Sequence, residues 1–166
     1  NQIKLLLKRS KSTSNNLIEN VNNLVDIYHC NFSVFQSLPD VWAIDQLHPI
    51  APIHKLHLNP TRKAVLNDIT CDSDGRISKF VLCDGISNSL PVHEIQNNNN
   101  YYLGVFFVGA YQETLGDLHN LFGDTNVVTI KLLKNGKFKI IHEQKGDKIS
   151  EVLSYTEYSP KEIFRN

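Results

Sequence analysis

Five runs of strand-forming residues, all from Lys63 onward, constrain the fold of this chain more than any other feature. They are rich in Val, Ile, Leu and aromatic residues, and Gly, Asn and Asp bound them. In order they read KAVLNDIT, RISKFVLCD, YYLGVFFVGA, NVVTIKLL and KFKIIHEQ. Asn135-Gly136 separates the last two runs and favours a two-residue hairpin with a type I′ turn. The pattern predicts a mainly β fold of mostly antiparallel strands.

Helices are predicted at the margins of this β region. LIENVNNLVDIY carries apolar residues at helical spacing, which predicts an amphipathic helix over residues 15–28 with Thr13 or Ser14 as its cap. KISEVLSY predicts a short helix capped by Asp147, and YQETLGDLHNLF predicts a turn with a short helical piece. SPKE is typical of a helix start with Ser159 as N-cap. Because the chain stops about one turn into that helix, we expect a piece of a longer polypeptide.

The segment over residues 30–60 has little periodicity and four prolines. Its apolar residues, which include the single tryptophan, predict an irregular segment that lies on a protein surface. A short strand is expected within it, at residues 33–35 or at residues 43–45. QNNNN, further along the chain, predicts a polar loop.

Composition excludes several classes of protein. The 166 residues contain 17 basic and 17 acidic side chains, so charge gives no case for nucleic acid or an anionic membrane as the main partner. There is no apolar stretch of roughly 18 residues and no pattern of a signal peptide. The three dispersed cysteines suit a reducing compartment better than a disulfide scaffold. A cytoplasmic protein is therefore expected.

The stretch DITCDSDGRI combines a thiol, two carboxylates and a glycine on a predicted turn. A calcium loop fails there, because an EF-hand that used Asp72 and Asp74 would need acidic ligands where Thr70 and Val81 stand. The histidines and cysteines lack the paired spacing of a zinc site, and no phosphate-binding loop is present. No metal site is predicted. On the residues alone, Cys71 is either a nucleophile with a distant histidine or, more often, a buried structural thiol.

Three long stretches together resemble the C-terminal part of the biosynthetic arginine decarboxylases: CNFSVFQSLPDVWAIDQLHPIAP, DITCDSDG and VGAYQETLGDLHNLFGDT. The resemblance runs from about Asn15 to the end of the chain. Enzymes of this family use pyridoxal 5′-phosphate to make agmatine for polyamine synthesis. The resemblance implies a C-terminal antiparallel β-sandwich or barrel-like domain of the alanine racemase-like fold, with helical margins. On that basis residues 1–29 end a helical insert, residues 30–158 form the β domain, and residues 159–166 begin a C-terminal helical extension.

The resemblance also implies roles for residues of the turn. Family members place each active site between subunits of a homodimer or a larger homo-oligomer, and one subunit contributes a Cys-Asp pair to the cofactor of the other. Here that pair is Cys71-Asp72. Cys71 is expected to protonate the α-carbon after arginine loses carbon dioxide, and Asp72 to bind the cationic end of the substrate. Asp74 either shares the binding of substrate or only shapes the turn.

The remaining expected site residues come from the third stretch. Tyr111 resembles the tyrosine that contacts the cofactor phosphate, although a strand-end aromatic with a solvated hydroxyl is the alternative from the residue alone. His119, Asn120 and Phe122 are expected at the rim of the pocket that faces the partner subunit, although ordinary packing also explains Phe122. The Schiff-base lysine belongs to a barrel that precedes this part of the family chain, so none of the lysines here is assigned that role.

Two further functions remain open on the sequence. One is decarboxylation of another basic amino acid, such as ornithine, lysine or diaminopimelate. The other is a β-rich interaction module without catalytic activity. By family resemblance, Mg²⁺ is a second expected cofactor of the parent enzyme, and neither nucleic acid nor a membrane is an expected partner.

Overall fold

The computed structural model describes residues 24–95, 100–116 and 118–163 of the chain. Within these ranges the chain is rich in short strands, and every helix has seven residues or fewer. The strands are β1 (Asp26–His29), β2 (Ile50–Pro52), β3 (Arg62–Asn67), β4 (Arg76–Ile77), β5 (Phe80–Leu82), β6 (Gly85–Ser87), β7 (Leu90–Val92), β8 (Leu103–Val105), β9 (Val127–Leu132) and β10 (Phe138–Gln144). The helices are α1 (Val34–Ser37), α2 (Pro39–Ala43), α3 (Ala110–Leu115), α4 (Ile149–Tyr155) and α5 (Pro160–Ile163), with a 3₁₀ turn at His119–Leu121.

Strand β3 lies at the centre of the largest sheet. It pairs in parallel with β1 and antiparallel with β4 and β7. Three antiparallel pairs complete the strands: β2 with β8, β5 with β6, and β9 with β10. The predicted mainly β character is confirmed, and one of the six strand pairings described here is parallel.

The core lies between the β3 sheet and the α1 helix. Strands β2, β3, β4, β5 and β7 each bury at least one apolar side chain. The buried cluster consists of Val34, Leu38, Ile50, Ala64, Leu66, Ile77, Phe80, Leu90 and Val92. Helix α1 contributes Val34 and its C-cap Leu38, which fixes this short helix against the sheet.

The first strand corrects the prediction of a helix over residues 15–28. Residues 1–23 lie outside the described part of the chain, but Asp26–His29 is a strand, so the helix is wrong there. Exposure alternates along β1, and Asp26 accepts two hydrogen bonds of 2.7 Å from the Arg62 guanidinium on β3. Cross-strand pairing therefore overrides the helical spacing of the apolar residues. Residues 26–29 belong to the sheet rather than to a helical insert.

The segment after β1 also differs from its prediction. Neither expected strand forms: α1 begins at Val34, within the first expected range, and α2 ends at Ala43, where the second begins. The Ser33 hydroxyl accepts a 3.2 Å hydrogen bond from the Gln36 N–H and caps α1, and Pro39 begins α2 at a position where a missing N–H costs nothing. These two helices, residues 34–43, are called the helical corner below. Trp42 is about half exposed and packs edge-on against Phe35, a buried residue of α1.

Strands β9 and β10 confirm the predicted hairpin, but not its type I′ turn. A type I′ turn requires positive φ at both central residues, whereas only Gly136 has it, at 76°. The Leu133 N–H bonds to the Lys137 carbonyl and the Gly136 N–H to the Leu133 carbonyl. This is a three-residue loop with a glycine in the left-handed region.

One face of the β9–β10 hairpin is mostly apolar, with Glu143 opposite Val128, and it is open to solvent. The strand register puts Thr129, Lys131, Lys139, His142 and Gln144 on the opposite, polar face. Every side chain of the apolar set is more than two fifths exposed: Val128, Ile130, Leu132, Phe138 and Ile140. Apolar and polar side chains thus alternate along the hairpin as they do in a sheet with one buried face. No element among the described residues packs on the apolar face.

The cap of α4 is one residue later than predicted. The N-cap is Lys148, whose N–H donates to the Glu151 carboxylate at 2.6 Å. The predicted cap, Asp147, instead accepts a 3.0 Å hydrogen bond from the Asp124 N–H. The predicted start at Ser159 is confirmed by α5, in which the N–H of Glu162 bonds to the Ser159 carbonyl.

Candidate active-site turn

The turn that follows β3 is organised by Asp68, a carboxylate that is 4% exposed. One oxygen accepts hydrogen bonds from the N–H and the hydroxyl of Thr70, at 2.9 and 2.8 Å. The other oxygen accepts from the N–H of Val34, the first residue of α1, at 2.9 Å. A buried carboxylate with three donors is a stable arrangement. Asp68 therefore holds the turn in shape and ties it to the helical corner.

Gly75 closes the turn against the same carboxylate. Its carbonyl accepts the Asp68 N–H at 2.8 Å, and its own N–H donates to the Asp72 carbonyl at 3.1 Å. A Cβ at position 75 would overlap the Asp68 carboxylate. Glycine is required here for close approach of the backbone rather than for an unusual dihedral angle.

The turn presents Cys71 and Asp72 at the surface. Cys71 is exposed, so the interpretation of a buried structural thiol is wrong. Asp72 is half-buried, and one of its carboxylate oxygens accepts the Asp74 N–H at 2.9 Å. Asp74 is exposed, and its backbone helps to close the turn. Cys30, in contrast, is partly buried, and burial raises the pKa of its thiol.

The 3₁₀ turn His119–Leu121 lies against Cys71 and Asp72. The Asn120 side-chain amide lies 3.6 Å from the Cys71 sulfur in donor geometry. The His119 Nε2 lies 3.7 Å from an Asp72 carboxylate oxygen, and both side chains are about one third exposed. The His119 ring also packs on Phe35, with ring centroids 4.2 Å apart. The structure therefore brings together four predicted site residues that are up to 49 positions apart.

The backbone of this 3₁₀ turn is strained. Asn120 and Leu121 have φ values of 56° and 63°, in the left-handed region. Asparagine tolerates this region, but a leucine there costs roughly 1–3 kcal/mol. The contacts of His119 and Asn120 help to hold the turn in that conformation. Phe122 ends it, half-buried, with its N–H bonded to the His119 carbonyl at 3.2 Å.

Helix α3, which carries Tyr111, is fixed to the helical corner from the other side. Gln112 is 4% exposed; its amide bonds to the Asp40 carboxylate, and its side-chain oxygen accepts the Asp40 N–H at 3.1 Å. At the end of α3, a Cβ on Gly116 would overlap the Gln36 carbonyl oxygen. The corner thus positions α3 as well as the turn of Cys71.

Tyr111 lies in the first turn of α3 and not at the end of a strand. Its side chain is 76% exposed, and no contact with Cys71 or Asp72 is recorded among the described residues. Gly109 precedes the helix in open space and borders a cleft of about 280 Å³ between α3, Gln36 and the start of β9. Four predicted site residues therefore lie together around Cys71, and no hydrogen bond, ion pair or ring contact joins Tyr111 to them among the described residues.

Sequence reasoning missed Asp68, Phe35 and Gln112, which hold the site without belonging to its predicted chemistry. A signal existed for Asp68, because an aspartate two residues before a threonine is typical of an Asx turn. Phe35 and Gln112 act through contacts between distant segments, which a single sequence does not encode.

Within residues 24–95, 100–116 and 118–163, no group of three or more His, Cys, Asp or Glu side chains is arranged to hold a metal ion. Over the same ranges, no helix is long and apolar enough to cross a membrane.

Comparisons with known proteins agree on one family. No protein-family model matches the chain. The biosynthetic arginine decarboxylase of Phocaeicola vulgatus is 54% identical over 142 residues, which are 86% of this chain and 22% of that protein. The enzyme of the same name from Pseudomonas aeruginosa is 49% identical over 95% of this chain and 25% of its own length.

A solved structure gives the same result. The crystal structure of the biosynthetic arginine decarboxylase of Campylobacter jejuni matches with a TM-score of 0.70 at 38% identity, over 82% of this chain and 22% of that one. The chain spans about a fifth to a quarter of the length of the relatives it matches. It is therefore homologous to one part of the biosynthetic arginine decarboxylases.

Proposed function

We propose that this chain is part of a pyridoxal 5′-phosphate-dependent decarboxylase that converts arginine into agmatine and carbon dioxide for polyamine synthesis. One observation carries the proposal beyond the family relationship. An exposed thiol and a half-buried carboxylate are adjacent on a turn that a buried aspartate holds rigid. A purely structural turn has no need of the thiol.

The chemistry of the two side chains fits the two tasks that the reaction sets. After carbon dioxide leaves, the α-carbon must gain a proton, and an exposed thiol can donate one. The guanidinium of arginine needs an oxygen acceptor at the far end of the substrate, and a carboxylate suits it. Cys71 is the proposed proton donor and Asp72 the proposed substrate ligand. Asp74 remains a second candidate for the guanidinium or an element of the turn.

Tyr111 is the residue that fits the cofactor. Its hydroxyl is exposed, at the start of α3, and the open space beside Gly109 leaves room for a phosphate group. Bound pyridoxal 5′-phosphate supplies the electron sink that makes loss of carbon dioxide feasible. Because no hydrogen bond, ion pair or ring contact joins Tyr111 to the Cys71 group among the described residues, we propose that its hydroxyl serves the cofactor phosphate while Cys71 and Asp72 face the reacting end of the substrate. No residue of this chain is assigned to magnesium.

The proposal includes the assembly and the fold of the whole protein. The site is shared between subunits of a homodimer or a larger homo-oligomer, and Phe122 lies at its rim. The described sheets form the antiparallel sandwich- or barrel-like domain of the alanine racemase-like fold. This domain extends from β1 to about residue 158, between a helical insert before β1 and a helical extension from residue 159. A cytoplasmic location completes the proposal.

An assay of the full-length protein tests the activity. Loaded with pyridoxal 5′-phosphate, it is expected to release carbon dioxide and agmatine from arginine in equal amounts. Ornithine, lysine and diaminopimelate serve as competing substrates, and arginine is expected to have the highest kcat/KM. A folded, cofactor-loaded protein that leaves arginine unchanged contradicts the proposal. A higher kcat/KM for another basic amino acid would make that amino acid the substrate in place of arginine.

Tyr111→Phe tests the role in cofactor binding. Removing one hydroxyl from an exposed side chain leaves the fold intact, because no hydrogen bond within the described residues depends on it. The apparent Kd for pyridoxal 5′-phosphate is expected to rise about tenfold, as for the loss of one hydrogen bond to a charged group. Absorbance titration of the cofactor measures it, and Tyr155→Phe on α4 is the control. If both variants have the same Kd for pyridoxal 5′-phosphate, Tyr111 does not bind the cofactor.

A further inference from the structure

We propose that His119 is a positioning residue for Asp72, and that its protonation makes the binding of the cationic substrate depend on pH. The inference rests on the proposed function and deepens it. The family relationship leads to the expectation that His119 faces the partner subunit, whereas the geometry directs its ring at a carboxylate of its own chain.

Three contacts fix the carboxylate and the ring relative to each other. One Asp72 oxygen accepts the Asp74 N–H at 2.9 Å, and the other lies 3.7 Å from His119 Nε2. The imidazole also packs on the Phe35 ring, at a centroid distance of 4.2 Å. Phe35 is itself 4% exposed and packs against Trp42. The imidazole is therefore anchored by a rigid aromatic pair and limits where the carboxylate can point.

The charges around His119 leave Asp72 as the carboxylate that faces it. Helix α1 carries no charged residue, and Asp68 is committed to Val34 and Thr70. Asp74 lies on the same turn but is exposed, with its backbone bonded to Asp72 and Arg76. On α4, which also packs against the 3₁₀ turn, the Glu151 carboxylate accepts the Lys148 N–H.

The pair has two states with different consequences for a cationic ligand. A neutral His119 lies beside Asp72 and leaves the negative charge of the carboxylate available to the guanidinium. A protonated His119 adds a positive charge beside the same oxygen and cancels part of that attraction. Since both side chains are about one third exposed, solvent screens the interaction, and a moderate effect is expected. Substrate affinity should therefore be lower when His119 carries a proton than when it is neutral.

Two variants of the full-length, cofactor-loaded protein separate the two roles. His119→Gln keeps a neutral hydrogen-bond donor, and His119→Phe keeps the ring on Phe35 but has no N–H. When the pH is lowered from 8.5 to 6.0, KM for arginine is expected to rise in the wild type about fivefold more than it rises in His119→Gln. In His119→Phe, KM is expected to rise about fivefold at pH 8.5. In both variants kcat at pH 8.5 should stay within about threefold of the wild type, because neither removes Cys71.

Calorimetric titration with agmatine gives a second measurement that does not need turnover. Its Kd should show the same loss of pH dependence in His119→Gln. His142→Gln, on the polar face of the β9–β10 hairpin, is the control and should behave as the wild type. If KM for arginine and the affinity for agmatine depend on pH in His119→Gln as they do in the wild type, the inference is overturned. The proposed function then stays intact. A wild type that neither turns over arginine nor binds agmatine overturns both.

Discussion

Replacing Asp68 by alanine is expected to open the active-site turn. The change leaves the buried N–H of Val34 and the partly buried N–H of Thr70 without an acceptor, at a cost of roughly 1–3 kcal/mol for the buried one and less for the other. Hydrogen exchange of the full-length protein should show that the free energy of local opening falls by about 3 kcal/mol in peptides over residues 31–37 and 68–76. Decarboxylation should fall at least tenfold, because Cys71 and Asp72 lose their fixed positions.

Asp74→Ala is the matched control for that experiment. Its carboxylate is exposed on the same turn, and its backbone bonds survive the change. Exchange rates of the turn should stay at wild-type values. If KM for arginine rises in Asp74→Ala while exchange is unchanged, Asp74 shares the binding of substrate with Asp72. Wild-type exchange in Asp68→Ala would show that the turn does not depend on the buried carboxylate.

Cys71→Ala is expected to have the largest effect on the reaction itself. A positioned proton donor contributes about 10²- to 10⁴-fold to a rate, so kcat should fall at least about 10²-fold. The fraction of turnovers that release agmatine should also fall, because protonation is then no longer directed to the α-carbon. Binding of pyridoxal 5′-phosphate, followed by absorbance, should change little. Cys83→Ala removes the other exposed thiol and should keep full activity.

Mixed oligomers test whether the thiol acts across subunits. Oligomers made only of Cys71→Ala subunits are expected to have strongly reduced activity. Oligomers made only of subunits that lack the Schiff-base lysine are expected to be inactive. After co-assembly, part of the activity should return, because one of the two shared sites then holds both groups. No recovery in verified mixed oligomers would place Cys71 in the site of its own subunit.

The predicted runs match β3, β4, β5, β8, β9 and β10, whose signals are local, but they miss β1, β2, β6 and β7. Gly, Asn and Asp mark the ends of β3, β9 and β10, and the alternation in β9–β10 is strong enough to define an apolar face. The error at β1 has the opposite origin. Its residues fit a helical spacing, and only the partners Arg62 and Ala64, more than 35 positions away, make Asp26–His29 a strand.

The candidate site was predicted only in part, because its residues are local in sequence while the contacts between them are not. Cys71, Asp72, His119 and Asn120 belong to stretches that resemble a known family, so their identities came from the sequence. Their mutual contacts did not, because they depend on how the helical corner packs. The corner was itself expected to be irregular or strand-like, since two helices of four and five residues give almost no periodic signal.

The helical corner makes two halves of the site thermodynamically dependent on one another. The Cys71 turn is bonded to Val34, and helix α3 of Tyr111 is bonded to Asp40, six residues along the same segment. A substitution that rotates this segment moves both halves at once, so paired changes at Asp68 and Gln112 will not add. In a fold built this way, residues that never touch a substrate can change the distance between Cys71 and Tyr111 while both of these side chains stay the same.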